Sequence, residues 1–387
     1  MPGKGSSRKL YLAMASFSVL MVAVLIPGCG TAPAADSPVT DISFNPDRNV
    51  LYIGAMTKVM TPKGGGGFCI YELDKERFTT KNESNGFWGP NVNYVQYDSV
   101  SQQVFMLHTN VRYSSMGGMS KLMSLYDPSS GSVNNLSAMA LKMTLAGDKL
   151  FYNGGSNYIY MSNRTGNLVS FPGVQIYPPA NVSGATGITA MLWASDSLFF
   201  STSNPPLLMC WKDGMVRNIT GQKCNCLVQG PQLNIYFGTD TGLQYYDITV
   251  GQVYNTSCTG QIIDLVTNYR DSLVYALVHE PLGTSIKAHQ VIGDTTGVLI
   301  DSDKCSILAY SPTCIEFAVN RNQLYAGTAH GMMIYNVLSN KFHTKTFKDG
   351  MPTEPSHAVA PGFEVMAAVA VVATVVGIRK YRTKYCG

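Results

Sequence analysis

The sequence predicts an all-β chain, a seven-bladed β-propeller set between two short apolar end segments. Three observations lead there. The stretch LYAGTAHGMMIYNVLSNKFHTKTFKDGM (324–351) reads as a buried strand, a Gly turn, a second strand, a polar turn and an exposed third strand. Its opening apolar strand recurs along the chain. Charged residues are scarce, at 13%, while Tyr (22) outnumbers Phe (15) and Trp (3), which suits sheets with partly wet surfaces.

The recurring strand is LYIG (51–54), VFML (104–107), LFYN (150–153), LFFS (198–201), IYFG (235–238), VYAL (274–277) and LYAG (324–327). Successive starts lie 53, 46, 48, 37, 39 and 50 residues apart, which fits a four-stranded blade with loops of variable length. A polar turn precedes each, as in Asn45-Pro46-Asp47-Arg48-Asn49 or Asn320-Arg321-Asn322, and an apolar segment precedes that turn. Most are followed by a strand ending at Tyr126-Asp127-Pro128, Tyr246-Asp247 or Tyr335-Asn336. One such sheet cannot cover both its faces, so the copies must stack on one another. Closing them into a ring leaves few free edges. Residues 39–44 are expected to complete the last blade, and a pair of β-sandwiches is the rival architecture.

The phrases GTDTGLQYYDITVGQVYNT (238–256) and GTAHGMMIYNVLSNKFHTKTFKDGMP (327–352) resemble two-component-regulator and related sensor propeller repeats, which carry Gly-Thr, Gly-Leu, Tyr-Asp and Lys-Asp-Gly-Leu-Pro runs. Two copies match, five are degenerate, and the Trp that many such repeats hold in the second strand is mostly missing. Nothing after the seventh copy resembles the histidine kinase that such propellers often serve.

The chain ends read differently. Lys4, Arg8 and Lys9 precede an apolar run (10–26), and Ala32-Pro33-Ala34 follows as a small-residue cleavage pattern, so 1–34 is expected to be a signal peptide with a helical apolar core. An uncleaved anchor is the alternative. Ile26-Pro27-Gly28-Cys29 resembles a degenerate lipobox, which makes Cys29 a lipidation candidate. At the other end, Pro361, Gly362 and Phe363 lead into an uncharged run (365–378) closed by Arg379-Lys380-Tyr381-Arg382. Fourteen helical residues rise only about 21 Å, against roughly 30 Å of bilayer hydrocarbon. A strained transmembrane helix or a discarded tail would account for this.

That arrangement resembles the PGF-CTERM sorting signal of archaeal surface proteins. The resemblance implies an archaeosortase-type processing enzyme that removes the tail near the tripeptide and leaves the protein linked to membrane lipid. It places the exported chain at the extracellular face of an archaeal cell membrane, with 35–356 as the propeller and 357–387 as the sorting and transmembrane tail.

Of the 28 Lys and Arg, seven lie in these tails, and of the 24 acidic residues only Glu364 does, so the middle holds 21 basic against 23 acidic residues. A near-neutral middle gives no basic footprint for nucleic acid. It also disfavours a salt-in halophile, whose proteins are expected to be strongly acidic.

Seven cysteines remain once Cys29 and Cys386 are set aside, and in an exported chain disulfides are the default. Cys305 and Cys314, flanking one inter-blade loop, form the first candidate pair. Cys224 and Cys226 share a strand face and are expected to reach Cys210 or Cys258 rather than each other. No metal site or cofactor is called for. Asn82, Asn135, Asn163, Asn181, Asn218 and Asn255 head N-glycosylation sequons, several of them in expected turns.

His108, His279 and His330 each fall just past the expected second strand of a blade. Only the last two sit on neighbouring blades, so His279 with Glu280 and His330 are the candidate binding residues, with surface or turn histidines as the plain alternative. No catalytic motif stands out. The expected function is that of a membrane-anchored surface module binding or scaffolding a protein, glycan or surface-layer partner. The alternatives are an extracellular polysaccharide lyase or hydrolase, and a sensor ectodomain serving a separate signalling protein. An enzyme would bring His279, Glu280 and His330 within hydrogen-bonding reach; a binding module would present an apolar or aromatic patch.

Overall fold

The computed structural model describes residues 38–351 apart from 57–66, 82–85, 88–90, 110–120, 155–157, 166–167, 170–172, 179–185 and 350. These residues fall within one compact unit, Ala35–Glu354. They form seven antiparallel sheets, each a meander whose strands pair in chain order, which makes the chain a seven-bladed β-propeller. Six blades have four strands; the third has a two-residue fourth strand, Leu168–Val169, and an extra one, Val174–Tyr177, both on its third strand. Among the described residues no helix is long and apolar enough to cross a membrane. The signal segment, Cys29 and the tail with Pro361, Gly362 and Phe363 lie outside the described residues.

The first strands of the blades, Val39–Asn45, Asn91–Asp98, Met143–Ala146, Thr186–Ala194, Cys226–Gln229, Gln261–Asn268 and Cys314–Ala318, pack against one another around the axis. The seven recurrent apolar runs are the second strands, from Val50–Ala55 to Gln323–Thr328. They are buried on both faces because a blade lies on either side, which explains why they read as unbroken apolar runs rather than alternating ones. The fourth strands form the rim, and Lys341–Lys345 is almost wholly exposed.

The Gly-Thr pairs have a physical cause. A Cβ on Gly238 would come within 2.5 Å of Ile262 on the next blade, and one on Gly327 within 2.5 Å of Val39. Glycine here admits the neighbour's first strand. The threonine then ties the following turn: Thr239 Oγ1 donates to Gly242 O at 2.8 Å, and Thr328 Oγ1 donates to Gly331 O at 3.0 Å.

Ring closure differs from the expectation. Residues 39–44 do not join the last sheet; Val39–Asn45 pairs with Val50–Ala55 in blade 1, and blade 7 is complete from its own four strands. The two blades meet face to face through a shared core that includes Val39, Ile42, Leu51, Tyr325, Met332 and Ile334. Side chains add to it: Glu316 Oε1 accepts from Phe44 N at 3.1 Å, Thr313 Oγ1 donates to Val39 O at 2.5 Å, and Lys345 bonds Glu76 at 2.8 Å. Arg321 donates to Asn49 at 3.0 Å and pairs with Asp74.

Candidate functional site

Two places in the ring gather chemistry: the axis and one end face. At the axis, each first strand has a free edge whose N–H groups need acceptors. At four of the blade interfaces a side chain of the preceding blade supplies one. Asp41 accepts from Val95 N of blade 2 at 2.8 Å and from its own neighbour Ile42 N at 3.0 Å. Asp264 does the same one blade before the seam, accepting from Ile315 N and Leu265 N, each at 2.9 Å. Glu316 completes the set at the seam itself. Ser43 and Thr144 play the neutral version, accepting from Tyr97 N at 2.9 Å and Trp193 N at 3.2 Å.

Bulges in the first strands between Val39 and Asp41 and between Ile262 and Asp264 turn these acids toward the neighbour. The three carboxyls are half-buried and close enough to repel one another. Burial pushes Asp41 up to about 7, with repulsion from Asp264 adding to it. Burial likewise lifts Asp264 to about 6, and lifts Glu316 to about 8 with both aspartates contributing. Lys142 opposes the shift at both aspartates, and Tyr94 is raised by burial and by all three acids. Among the described residues no group of His, Cys, Asp and Glu could hold a metal ion. The axial acids act as inter-blade staples whose proton affinity is raised by burial. Sequence reading missed them, although an acid inside an apolar first strand (VTDI, QIIDL, CIEF) is the signal that marks them.

The second place is an end face. In each meander the first-to-second and third-to-fourth turns lie at one end, and the second-to-third turns and blade-to-blade links at the other. On that second end an open groove of about 380 Å³ is lined by Ser306, Ile307, Tyr310, His330, Thr344 and Thr346. Ser306 and Tyr310 come from the link between blades 6 and 7, His330 from a turn of blade 7, and the two threonines from the end of its last strand. The Tyr310 ring is 49% exposed and meets His330 edge-on, with centroids 4.6 Å apart. Ala329 N donates to Tyr310 O at 2.9 Å and His330 N to Thr328 Oγ1 at 3.2 Å, so the backbone on both sides of the pair is held.

The sequence candidates separate here. His330 lies in the groove. His279 is exposed within its strand, Leu273–Glu280, rather than past it, and its Nδ1 is 3.3 Å from Thr284 Oγ1. Glu280 accepts from Lys287 Nζ at 2.8 Å and from Ser285 Oγ at 3.3 Å, all within blade 6. None of these bonds joins His279 or Glu280 to His330. His108 is a fully buried strand residue, its ring 5.6 Å from that of Phe87.

The seven propeller cysteines are free thiols, all buried. Cys305 and Cys314 sit in different core clusters, so the expected bridge between them is not formed. Cys224 packs in one cluster with Cys210, and Cys226 in another with Cys258, the expected neighbours without the expected bonds. The described sequon residues lie on strands rather than turns: Asn135, Asn218 and Asn255 on rim strands and Asn163 on a third strand. Asn82 and Asn181 lie outside the described residues.

The geometry thus defines a propeller with a neutral groove on one end face. No family model matches the chain, and no curated protein does. Among solved structures it is similar in fold to the computationally designed protein Ika8, at 12% identity and a TM-score of 0.51, over 84% of this chain and 97% of that one. It is also similar to PorZ, an essential bacterial surface component of the type-IX secretion system of Porphyromonas gingivalis. There the identity is 11% and the TM-score 0.54, over 82% of this chain and 39% of that one. At these identities the likeness is one of fold.

Proposed function

We propose that the protein is exported, held at the outer face of an archaeal cell membrane by its processed tail, and acts there as a non-catalytic module that binds a neutral glycan. The observation that carries this reading is the groove at Tyr310 and His330. Its walls offer a half-exposed aromatic ring and the hydroxyls of Ser306 and Thr344, with no acidic or basic side chain in the lining other than the imidazole; the Thr346 hydroxyl is already bonded to Asp349. A ring face packs against the C–H face of a sugar while hydroxyls exchange hydrogen bonds with its edges, and a charged ligand finds no counter-ion.

Saturation-transfer NMR with neutral surface polysaccharide from the host tests the site. Tyr310→Ala and His330→Ala are expected to weaken binding at least about tenfold, while Leu282→Asp on the same end face leaves it unchanged. Binding that survives Tyr310→Ala would refute the assignment. Mass spectrometry of the mature protein tests the anchor, and recovery of intact 379–387 peptides would refute it.

A further inference from the structure

The end face opposite the groove carries a second feature. Blades 5, 6 and 7 each expose an apolar side chain at both of their turns there: Leu233 and Val250, Tyr269 and Ile292, Val319 and Leu338. These six are 42% to 75% exposed. Adjacent blades are knitted together at this end, since Tyr269 Oη donates to Gln229 O at 2.7 Å and Arg270 bonds Asn322. The tips therefore share one face rather than pointing in unrelated directions.

The turns do not need these side chains. Asp247 Oδ1 holds the blade 5 turn by accepting from Thr249 N at 2.8 Å and Val250 N at 3.0 Å, and Asn336 Oδ1 accepts from Ser339 N at 2.9 Å in blade 7. Gly251, Gly293 and Asn340 take the positive φ. A polar residue would serve at Val250, Ile292 or Leu338 equally well, so the fold gives no reason for apolar ones.

Charge narrows the occupant. The six turns contain two arginines and two aspartates, and all four are engaged. Arg270 pairs with Asp271, Arg321 with Asp74 of blade 1, and Asp294 accepts from Ser257 N at 3.0 Å. A face with no net field has nothing to offer an anionic lipid surface or nucleic acid. It can, however, meet a copy of itself without like-charge repulsion. The six side chains expose on the order of 600–700 Å², close to the roughly 800 Å² each partner contributes to a standard interface.

We infer that this face is a self-association surface, on which two copies of the propeller meet by a twofold axis through the turns of blades 5 to 7. The groove then faces outward at both ends of the pair. Because every blade is complete within 35–354 and the ring closes through its own residues, that fragment carries the fold and can be tested without its tail.

Sedimentation velocity of the fragment from about 1 to 100 µM is expected to show a monomer–dimer equilibrium. Leu338→Asp and Ile292→Asp should each weaken it by at least about tenfold, since twofold symmetry places each substitution in the interface twice. Leu282→Asp, on the opposite face and 97% exposed, should leave it unchanged. A monomer throughout, or a dimer that survives both substitutions, overturns the inference. So does cosedimentation of the monomer with neutral phosphatidylcholine vesicles that Leu338→Asp abolishes, which would assign the face to a bilayer.

Discussion

The axial carboxyls make stability depend on pH in a direction opposite to the usual one, and Asp41→Asn tests it. A carboxyl raised in the folded state binds its proton more tightly there than in the unfolded chain. Its stabilising contribution is full below the unfolded value near 4 and is lost as pH rises through the folded value, about 7 for Asp41. A shift from 3.8 to about 7, at about 1.36 kcal/mol per unit, amounts to roughly 4 kcal/mol. That loss runs from about pH 4 to 7, so about two pH units of it, roughly 2.7 kcal/mol, lie above pH 5; Asp41 is only half-buried, and solvent screening reduces this part to about 1 kcal/mol between pH 5 and 8.

The amide cannot copy everything the acid does. Asp41 accepts two backbone N–H bonds on separate oxygens, and Asn has one acceptor oxygen, so one bond is lost at about 1 kcal/mol. The lost bond lowers the variant's stability equally at every pH, while only the parent loses the carboxyl's contribution, so the variant's stability relative to the parent should rise by about 1 kcal/mol from pH 5 to pH 8. Urea midpoints measured from pH 5 to 8.5 at constant ionic strength read this out. Burial lowers His289, so it works against folding below about pH 6.5, but it does so equally in both proteins and cancels in the difference. Two parallel curves would refute the reasoning.

Gly327→Ala should cost about 1–3 kcal/mol, because the new methyl meets Val39 and Cys314 in a filled seam; a midpoint unchanged in urea would contradict the close approach. Arg164 and Asp98 form a buried pair at 2.5 Å between blades 3 and 2, so Arg164→Met should cost about 3–5 kcal/mol by leaving the carboxylate uncompensated, read by thermal unfolding at pH 7. Burial pushes Cys69 and Cys224 up to about 12 and Cys258 to about 11, so Ellman's reagent at pH 8 should find almost no reactive thiol in the native propeller and all seven in denaturant. Host glycopeptides should show sugar on the exposed Asn163 and Asn218 but not on Asn135, whose amide is tied to Gly86 O at 2.8 Å and Ser124 at 2.7 Å.

The fold was legible because its strongest signal is local. Each second strand is buried on both sides, so it stands out as an apolar run in any reading frame, and seven such runs specify seven sheets. The site was less legible because it is assembled from the ends of elements far apart in sequence. His330 was visible as a turn residue, but Tyr310 sits in a link with no periodic pattern, and only the ring brings the two together. Glu280 looked available beside His279; its partner Lys287 lies across a hairpin, where register rather than proximity in sequence decides the contact. The axial acids were hidden for the opposite reason. Asp41, Asp264 and Glu316 lie where alternation predicts an interior residue, and their role becomes evident only when the next blade's free N–H groups are located.

Closure without strand exchange ties these features together. Each blade can form from local hairpins, but the bond from Phe44 to Glu316 joins residues 272 apart, and nothing gained within a blade offsets the entropy of bringing them together. The seam between blades 7 and 1 must supply that from side chains alone. It does so with a shared apolar core, a glycine that lets Val39 in, and a carboxyl that satisfies the free edge of the first strand. The first two are insensitive to pH. The third is not: once Glu316 and Asp41 both ionise, the seam holds two like charges near the axis, and the contact hardest to form becomes the one most readily loosened by alkali. Amide hydrogen exchange localises this effect, since Phe44 N–H should lose protection between pH 6 and 8.5, after correction for the intrinsic rate, more steeply than the N–H of Tyr97, which is held by Ser43 across the next interface.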